Sequence, residues 1–242
     1  MDSQRQPILN LPQPVTWLLV FLFGFHGVRQ LLPIRLDDYL IYYLAFVPAR
    51  YRGLFDGPAA TITAPAIEVA DSVFAAALPF VAHTFIHADW FHLGLNLLWL
   101  MPFGAGVARR FGSGRRATIR FFVFYFICGV AGAITHMIFY PTGTMPLVGA
   151  SGAISGLMGG AARFMFVPGG FYGNRYLRLS PIFDPRVIVF AVVFVLINIL
   201  FGTIGFDAVQ SPGLVAWQAH IGGFLTGLFL FGFFDRAPKA YA

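Results

Sequence analysis

The stretch from Leu147 to Ala161 reads LVGASGAISGLMGGA, an apolar pattern in which small residues surround one serine, Ser151. Gly152, Gly156 and Gly160 recur at every fourth position, so they share one face of a helix and leave that face almost without side chains. In a bilayer, small residues of this kind let a second helix approach closely. The stretch therefore predicts a helix that packs tightly against another transmembrane helix.

A matching pattern of small residues lies near the C-terminus, in the sequence AHIGGFLTG from Ala219 to Gly227. His220, Gly223 and Gly227 are spaced i, i+3 and i+7, so they lie on one helix face. Two such faces can bring a serine and a histidine within hydrogen-bonding distance, as activation of a serine nucleophile requires. Ser151 is therefore the candidate nucleophile and His220 the candidate general base. The alternative for Ser151 is that it is one more small residue in a packing motif.

The composition indicates a membrane protein. Of the 242 residues, 58% are hydrophobic and 11% are charged, whereas soluble domains average about 25% charged residues. The mean hydropathy is +0.74. The formal net charge of +6 does not indicate nucleic-acid binding, because the arginines flank apolar segments instead of forming a polar face. Cys128 is the single cysteine and lies in an apolar run, so we predict a core position and no intramolecular disulfide.

Six apolar segments are long enough to cross a hydrocarbon core of about 30 Å. We therefore predict an all-α integral membrane protein with six transmembrane helices in one bundle. The first apolar run begins near Val15 after a polar lead, and we interpret it as a span and not as a cleavable signal peptide. The predicted spans are residues 15–32, 89–108, 121–140, 149–166, 187–206 and 213–234.

The membrane domain is predicted to cover residues 15–234, between a short polar tail at 1–14 and a C-terminal tail at 235–242. A long connection at 33–88 lies within it, and the tyrosine-rich apolar pieces of this connection favour the headgroup region. The part at 72–88 is also apolar, but Pro79, His83 and His87 argue against a seventh span there.

The distribution of lysine and arginine predicts that both termini are cytoplasmic, since basic residues accumulate on that side of a membrane. Six spans place both termini on one side. With the N-terminus inside, twelve of the sixteen basic residues lie on or near the inner side, and four face outward: Arg29, Arg35, Arg50 and Arg52. A seventh span at 72–88 would move the basic cluster RRFGSGRR, residues 109–116, to the outside.

A second group of polar residues lies around the start of the second predicted span, in the sequence HTFIHADWFHLGLNLLWL. Asp89 is a candidate N-cap. His92 and Asn96 are four residues apart, so they share a helix face near the outer end, where an imidazole and an amide can donate to an oxyanion. A metal site is the alternative for this group. The spacing of His83, His87 and His92 is not a recognised zinc pattern, so we predict neither a metal nor another cofactor.

These motifs together resemble the rhomboid family of intramembrane serine proteases, over residues 15–234. The resemblance implies a Ser151–His220 dyad without a third acid. The motifs that carry it are H-x4-H-x3-N at His87, His92 and Asn96, G-x-S-G from Gly149 to Gly152, and A-H-x2-G-x3-G from Ala219 to Gly227.

The resemblance also implies the remaining parts of a rhomboid site. The backbone N–H of Ser151 and the side chains of His92 and Asn96 would bind the developing oxyanion. His87, and with it His83, would make structural or water-retaining contacts near the site. The connection at 33–88 would be the membrane-interface loop of the family, and residues 204–212 its mobile cap. Further supporting positions would be Gly149, Gly152 and Gly223.

Three positions depart from the pattern of the family. The position four residues after the serine is often aromatic in the family, where its ring packs beside the histidine, but here it is Ser155. The usual glycine four residues before the motif alanine is Val215. The common Trp–Arg pair of the first loop has only a weak analogue in Tyr51–Arg52. The first two departures bear on how His220 is held, and so on rate and specificity.

The predicted function is therefore that of a serine endopeptidase which cleaves single-span or multi-span membrane proteins near the outer end of a transmembrane segment. Such a segment hides its carbonyls in helical hydrogen bonds, so substrates are expected to carry glycine, proline or other weak helix formers there. By the resemblance, the cleaved bond should follow a small residue. The expected location is a bacterial plasma membrane, as a multi-pass protein within the lipid bilayer.

Two other classes of protein are alternatives to a protease. A proteolytically inactive rhomboid-like protein that binds membrane clients would keep the fold, but members of that kind generally lack the serine or the histidine. A transporter or channel would show paired ionisable residues near the midplane or broken half-helices in matching repeats. The sequence contains neither feature, and it indicates no particular oligomeric state.

Overall fold

The computed structural model describes residues 10–51, 73–170, 177–204 and 216–236 of the chain. Within these residues the regular secondary structure is helical, and one isolated antiparallel bridge joins Phe46 to Leu147. The predicted all-α architecture is confirmed. The α-helices are α1 Gln13–Leu31, α2 Ile34–Leu44, α3 Val73–Ala77, α4 Pro79–Ala82, α5 Trp90–Phe111, α6 Arg115–Phe139, α7 Ser151–Ala162, α8 Pro185–Ile204 and α9 Trp217–Phe234.

Six of these helices, α1 and α5 to α9, overlap the six predicted spans. Four of them, α5, α6, α8 and α9, are long and apolar enough to cross a membrane. α1 has 19 residues but carries polar side chains in its last turns, at His26, Arg29 and Gln30. The predicted cap residues 205–212, together with Val215, Arg52 and residues 53–72 of the long connection, lie outside the described residues.

α7 is shorter than predicted. Its 12 residues rise about 18 Å, less than a hydrocarbon core, whereas the sequence predicted a helix over 149–166. Ten of its residues are buried inside the bundle, so packing, and not the thickness of the bilayer, sets its length. At its end the Arg163 guanidinium donates to the carbonyls of Ser180 and Leu228, over 2.8 and 3.2 Å.

α7 packs most extensively against α9, and the predicted contact between small-residue faces is confirmed. A Cβ placed on Gly223 would overlap the carbonyl oxygen of Gly152, and one placed on Gly227 would overlap the carbonyl oxygen of Gly156. A Cβ on Gly156 would also overlap the Cys128 side chain of α6. The two helices therefore touch backbone to backbone, and this closeness positions the residues at their ends.

α8 is the outermost of the long helices, because only 6% of its apolar span is buried. Most of its apolar side chains point outward, as those of Val189 and Leu196 do, each 61% exposed. On the inner side Phe194 stacks on Phe224 of α9, with ring centroids 4.3 Å apart. This stack fixes the depth at which α8 meets α9.

The connection between the first two spans contains no further span in its described part. Residues 73–85 are divided into the two short helices α3 and α4 and a 3₁₀ turn at His83–Phe85, which agrees with the rejection of a seventh span. α2 is amphipathic and has no buried residue. Its Asp37 forms a two-point ion pair with Arg29 of α1, over 2.6 and 2.9 Å, which joins α2 to the end of α1.

Candidate active site

Ser151 is the first residue of α7, and the segment before it sets its position. Leu147 is paired with Phe46 by two backbone hydrogen bonds of 2.7 and 3.1 Å, and the Gly149 N–H donates to the His83 carbonyl over 3.0 Å. Gly149 has a φ of +114°, in a region that glycine adopts at little cost. The chain can therefore turn sharply from the bridge into α7, with Ser151 at the corner.

His220 lies in the first turn of α9 and faces Ser151. The distance between His220 Nε2 and Ser151 Oγ is 2.8 Å. The backbone contact between α7 and α9 produces this closeness, since an ideal Cβ on Gly152 would be 3.4 Å from the carbonyl oxygen of Ala219. The two residues that the sequence identified from separate motifs are thus within hydrogen-bonding distance.

Asn198 of α8 also contacts His220, and the sequence analysis missed it. Its Oδ1 lies 2.7 Å from His220 Nδ1, and its Nδ2 donates to the Phe194 carbonyl over 2.8 Å. A signal was present in the sequence, because Asn198 is the only polar side chain between Val187 and Gly202. A lone amide in an apolar span is expected to find a partner inside the bundle.

His92 lies at the N-terminus of α5, beside the Gly149–Ser151 segment. Its backbone N–H donates to Asp89 Oδ1 over 2.7 Å, so Asp89 is the N-cap of α5, as predicted. The Ala88 N–H donates to His92 Nδ1 over 3.4 Å, which leaves the proton of a neutral ring on Nε2. An ideal Cβ on Gly149 would be 2.8 Å from His92 Nε2 and 3.7 Å from Ser151 Oγ. The Nε2–H group therefore borders the serine.

Asn96 is buried one turn further along α5, and its Nδ2 donates to the His92 carbonyl over 2.8 Å. Its Oδ1 is buried and has no hydrogen-bond partner among the described residues. The bond to His92 ties the two candidate oxyanion residues to each other on one face of the helix.

His83 and His87 hold the backbone in front of Ser151. The Ala150 N–H donates to His87 Nε2 over 3.3 Å, and the His87 carbonyl accepts from Arg29 Nη1 over 2.9 Å. Burial lowers the pKa of His83 to about 4. Burial, with the neighbouring His92 adding to it, lowers the pKa of His87 to about 3. Both rings are therefore neutral at neutral pH and can act as fixed hydrogen-bonding groups.

The predicted departure at Ser155 and the alternative of a metal site can also be compared with the structure. Ser155 is buried in α7, one turn after Ser151. Among the described residues, no ring contact involves His220, so the described part of the chain does not supply the aromatic neighbour typical of the family. The same part contains no group of three His, Cys, Asp or Glu residues that could hold a metal ion.

Comparison with known proteins places this arrangement in a family. The model of the Rhomboid domain matches residues 75–236. RHOMBOID-like protein 4 of Arabidopsis thaliana is 34% identical over 148 residues, 61% of this chain and 31% of that protein. The Rhomboid protease GluP of Bacillus subtilis is 31% identical over 144 residues, 60% of this chain and 23% of that protein.

A third relative, the mitochondrial RHOMBOID-like protein 6 of Arabidopsis thaliana, is 30% identical over 151 residues, 61% of this chain and 40% of that protein. The chain thus spans less than half the length of these relatives. The family match and the long apolar helices make the protein a multi-pass integral membrane protein. With a domain match that covers most of its length, the chain belongs to the rhomboid family.

Proposed function

We propose that this protein is an intramembrane serine endopeptidase that cleaves membrane-protein substrates within the bilayer. The observation that carries the proposal is the 2.8 Å distance between Ser151 Oγ and His220 Nε2. A serine and a histidine at this separation form a nucleophile and its general base.

In the proposed reaction, His220 Nε2 accepts the hydroxyl proton of Ser151 while Oγ attacks the carbonyl carbon of the scissile peptide bond. The tetrahedral intermediate collapses as the C–N bond breaks, and the imidazolium returns the proton to the leaving amine. Water then attacks the acyl-enzyme. His220 removes a proton from that water and returns one to Ser151 Oγ, which releases the new carboxyl end.

The negative charge of the intermediate would be stabilised by donors that converge on Ser151. The backbone N–H of Ser151 belongs to the first turn of α7 and has no partner within its own helix. His92 Nε2–H borders the Gly149–Ser151 segment from α5. Asn96 is tied to the His92 carbonyl and retains a second amide hydrogen for an oxyanion. Donors fixed in advance of the reaction are a major source of catalysis.

The proposed substrates are transmembrane segments with weak helix formers near the end at which Ser151 lies. Ser151 begins α7 and His220 lies in the first turn of α9, so both lie towards the same end of the bundle. A segment that unwinds readily at this depth would expose a carbonyl to Ser151 at the lowest cost in helical hydrogen bonds. The cytoplasmic orientation of the termini and the bacterial plasma membrane stay predictions.

The test is cleavage of a single-span model substrate by the purified protein in proteoliposomes. We expect Ser151→Ala and His220→Ala each to abolish the product, because each removes one partner of the proton transfer. Thr16→Ala is the control, since it removes an exposed hydroxyl that bonds the Pro12 carbonyl at the start of α1 and is expected to leave cleavage within about twofold.

Cleavage that persists in Ser151→Ala would refute the mechanism. If the wild type cleaves none of several substrates with glycine or proline in the outer part of the span, the inactive client-binding function is favoured. Binding of those segments without cleavage would then be the activity to measure.

A further inference from the structure

Asn198 is bound at both ends of its amide group, and this fixes which end faces His220. Nδ2 donates to the carbonyl of Phe194, four residues earlier in the same helix, over 2.8 Å. The reversed amide would bring two acceptor oxygens together at Phe194, which is unfavourable. The oxygen, Oδ1, therefore points to His220 Nδ1 at 2.7 Å.

This orientation fixes the protonation of the imidazole. Because Oδ1 can only accept, His220 Nδ1 must carry a proton and donate it. In the neutral ring Nε2 then holds a lone pair, and it faces the Ser151 hydroxyl over 2.8 Å. This is the form of the ring that can accept the serine proton.

Two features near His220 make the contact with Asn198 important for holding the ring. Ser155 stands where relatives often carry an aromatic ring beside the histidine. The Phe194–Phe224 stack holds α8 against α9 one turn before Asn198. α8, most of whose side chains face outward, thus places one polar side chain beside His220.

We propose that Asn198 is a positioning residue for His220, which holds the ring in its orientation and in the Nδ1–H tautomer. The proposal rests on the proposed function and extends the expected dyad with a third, uncharged member. Loss of the amide oxygen would let the imidazole ring rotate and let its proton move from Nδ1 to Nε2. A protonated Nε2 could no longer accept the proton of Ser151.

Asn198→Leu keeps the size of the side chain and removes the acceptor. We expect kcat to fall about 10- to 100-fold with KM within about twofold, since the group acts through His220 and touches no substrate. Asn198→Asp restores an acceptor and is expected to be more active than Asn198→Leu. Leu196→Ala, at an outward-facing position of α8, is the matched control and should behave as the wild type. An unchanged kcat in a folded Asn198→Leu protein would overturn the proposal.

A spectroscopic measurement separates this proposal from the proposed function. The ¹⁵N chemical shifts of His220 report which ring nitrogen carries the proton, without any substrate. We expect an Nδ1–H ring in the wild type and a shift towards Nε2–H in Asn198→Leu. A wild type that shows this pattern but does not cleave would refute the proteolytic function alone, whereas an Nε2–H ring in the wild type would refute the positioning role.

An independent observation concerns the opposite end of the bundle. A cleft of about 340 Å³ opens between the first turns of α6 and the C-terminal end of α9. Its lining combines three arginines with four apolar side chains: Arg116, Arg120 and Arg236, with Ile119, Val123, Phe233 and Phe234.

The apolar part of the lining is exposed at the surface of the bundle. Ile119, Val123 and Phe233 are 50%, 44% and 83% exposed. Arg120 packs over the Phe111 ring at 5.8 Å, so part of the positive charge is held in place. The nearby carboxylate of Asp235 is bonded to Arg110, over 2.7 and 3.0 Å, and so is already engaged outside the cleft.

We propose that this cleft binds an anionic phospholipid, with its phosphate at the arginines and its acyl chains along Ile119 and Val123. Arginine pairs well with phosphate oxygens, and basic clefts between transmembrane helices recognise anionic headgroups. The joint presence of cationic and lipid-exposed apolar walls favours a whole lipid over a free phosphate.

Native mass spectrometry of the detergent-purified protein would count bound lipid. We expect phosphatidylglycerol to bind in preference to phosphatidylcholine, and the double variant Arg116→Gln, Arg236→Gln to lose that preference. Arg115→Gln is the matched control, because this exposed arginine neighbours the cleft without lining it. Equal retention of both lipids by the wild type, or an unchanged preference in the double variant, would refute the site. Competition by millimolar inorganic phosphate would indicate a phosphate site without lipid specificity.

Discussion

Gly149 is constrained both by its backbone conformation and by the neighbouring His92 ring. Its φ of +114° is unfavourable for other residues, and the His92 ring lies directly over its α-carbon. The residue therefore shapes the turn before Ser151 and leaves room for the ring that borders the serine.

We expect Gly149→Ala to lower proteolytic activity at least about 100-fold, because a backbone strain of about 1–3 kcal/mol is joined by a Cβ only 2.8 Å from the His92 ring. The measurement is the cleavage rate together with the thermal midpoint. Gly169→Ala is the matched control, since Gly169 has a φ of +76° but no atom within 4 Å of an added Cβ. Equal losses of activity in the two variants would show that backbone strain alone is responsible.

The buried histidines predict a pH dependence of stability. The pKa of His87 is lowered from 6.5 to about 3 by burial. Below pH 6.5 the unfolded chain binds a proton on this ring while the folded chain does not, so the free energy of unfolding falls as the pH is lowered from 6.5 towards 3. His83, whose pKa is lowered to about 4, acts in the same direction.

His87→Gln should weaken this dependence, because glutamine can accept from the Ala150 N–H but does not titrate. We expect the thermal midpoint of the variant to fall less between pH 7 and pH 4.5 than that of the wild type. Identical slopes would mean that His87 is already protonated in the folded protein or exposed to water.

At the scale of single residues, motif and spacing identified Ser151 and His220, since both stand out against small neighbours in an apolar stretch. The sequence did not identify Asn198, because its contact with His220 depends on how α8 is rotated against α9. No local sequence pattern encodes that rotation. Only the position of Asn198 among apolar residues indicated that its amide needs a hydrogen-bond partner, and several helices could have supplied that partner.

At the scale of elements, the contact between α7 and α9 leaves no room for side chains. A Cβ on Gly223 would overlap the carbonyl oxygen of Gly152. Backbone atoms cannot move aside as side chains do, so the helices themselves would have to separate.

We expect Gly223→Ala to destabilise the protein by about 1–3 kcal/mol and to reduce cleavage further by moving His220 away from Ser151. Gly232→Ala, in the same helix, is the matched control, because the atom nearest to its added Cβ is Leu179 Cδ1 at 4.0 Å. Thermal unfolding and cleavage of both variants would be measured. Wild-type behaviour of Gly223→Ala would mean that the helices are less closely packed.

The sequence predicted the long helices well and α7 poorly, and the reason is physical. Apolar length is set by the bilayer in helices such as α6 and α8, which face lipid. α7 is enclosed by other helices, and its end is fixed by the bonds of Arg163 to two carbonyls in distant parts of the chain. Hydropathy does not carry that information.

At the scale of the whole molecule, a polar connection runs from α2 through α1 to the loop before the serine. Asp37 pairs with Arg29, Arg29 donates to the His87 carbonyl, and His87 accepts from the Ala150 N–H. Arg29 is only 3% exposed, so its charge depends on these partners.

We expect Arg29→Met to lower stability by about 1–3 kcal/mol, since the buried His87 carbonyl loses its donor and the partly exposed Asp37 carboxylate loses its partner. The matched control is Arg186→Met, which breaks the Arg186–Asp184 pair in which the arginine side chain is 57% exposed. That pair is exposed to solvent, so its loss is expected to change stability very little. Similar losses in thermal midpoint for both variants would mean that the Arg29 pair is accessible to water.

The side-chain-free contact of α7 and α9 also limits how this protein can evolve. A random library of single substitutions should find Gly223 and Gly227 almost immutable, because every available exchange adds atoms where the backbone of α7 already lies. The outward face of α8 should accept nearly any apolar residue, since only 6% of the apolar span of this helix is buried. The rate of sequence change should therefore differ sharply between two neighbouring helices of the same bundle, and Asn198 should stand out as the one intolerant position on the permissive helix.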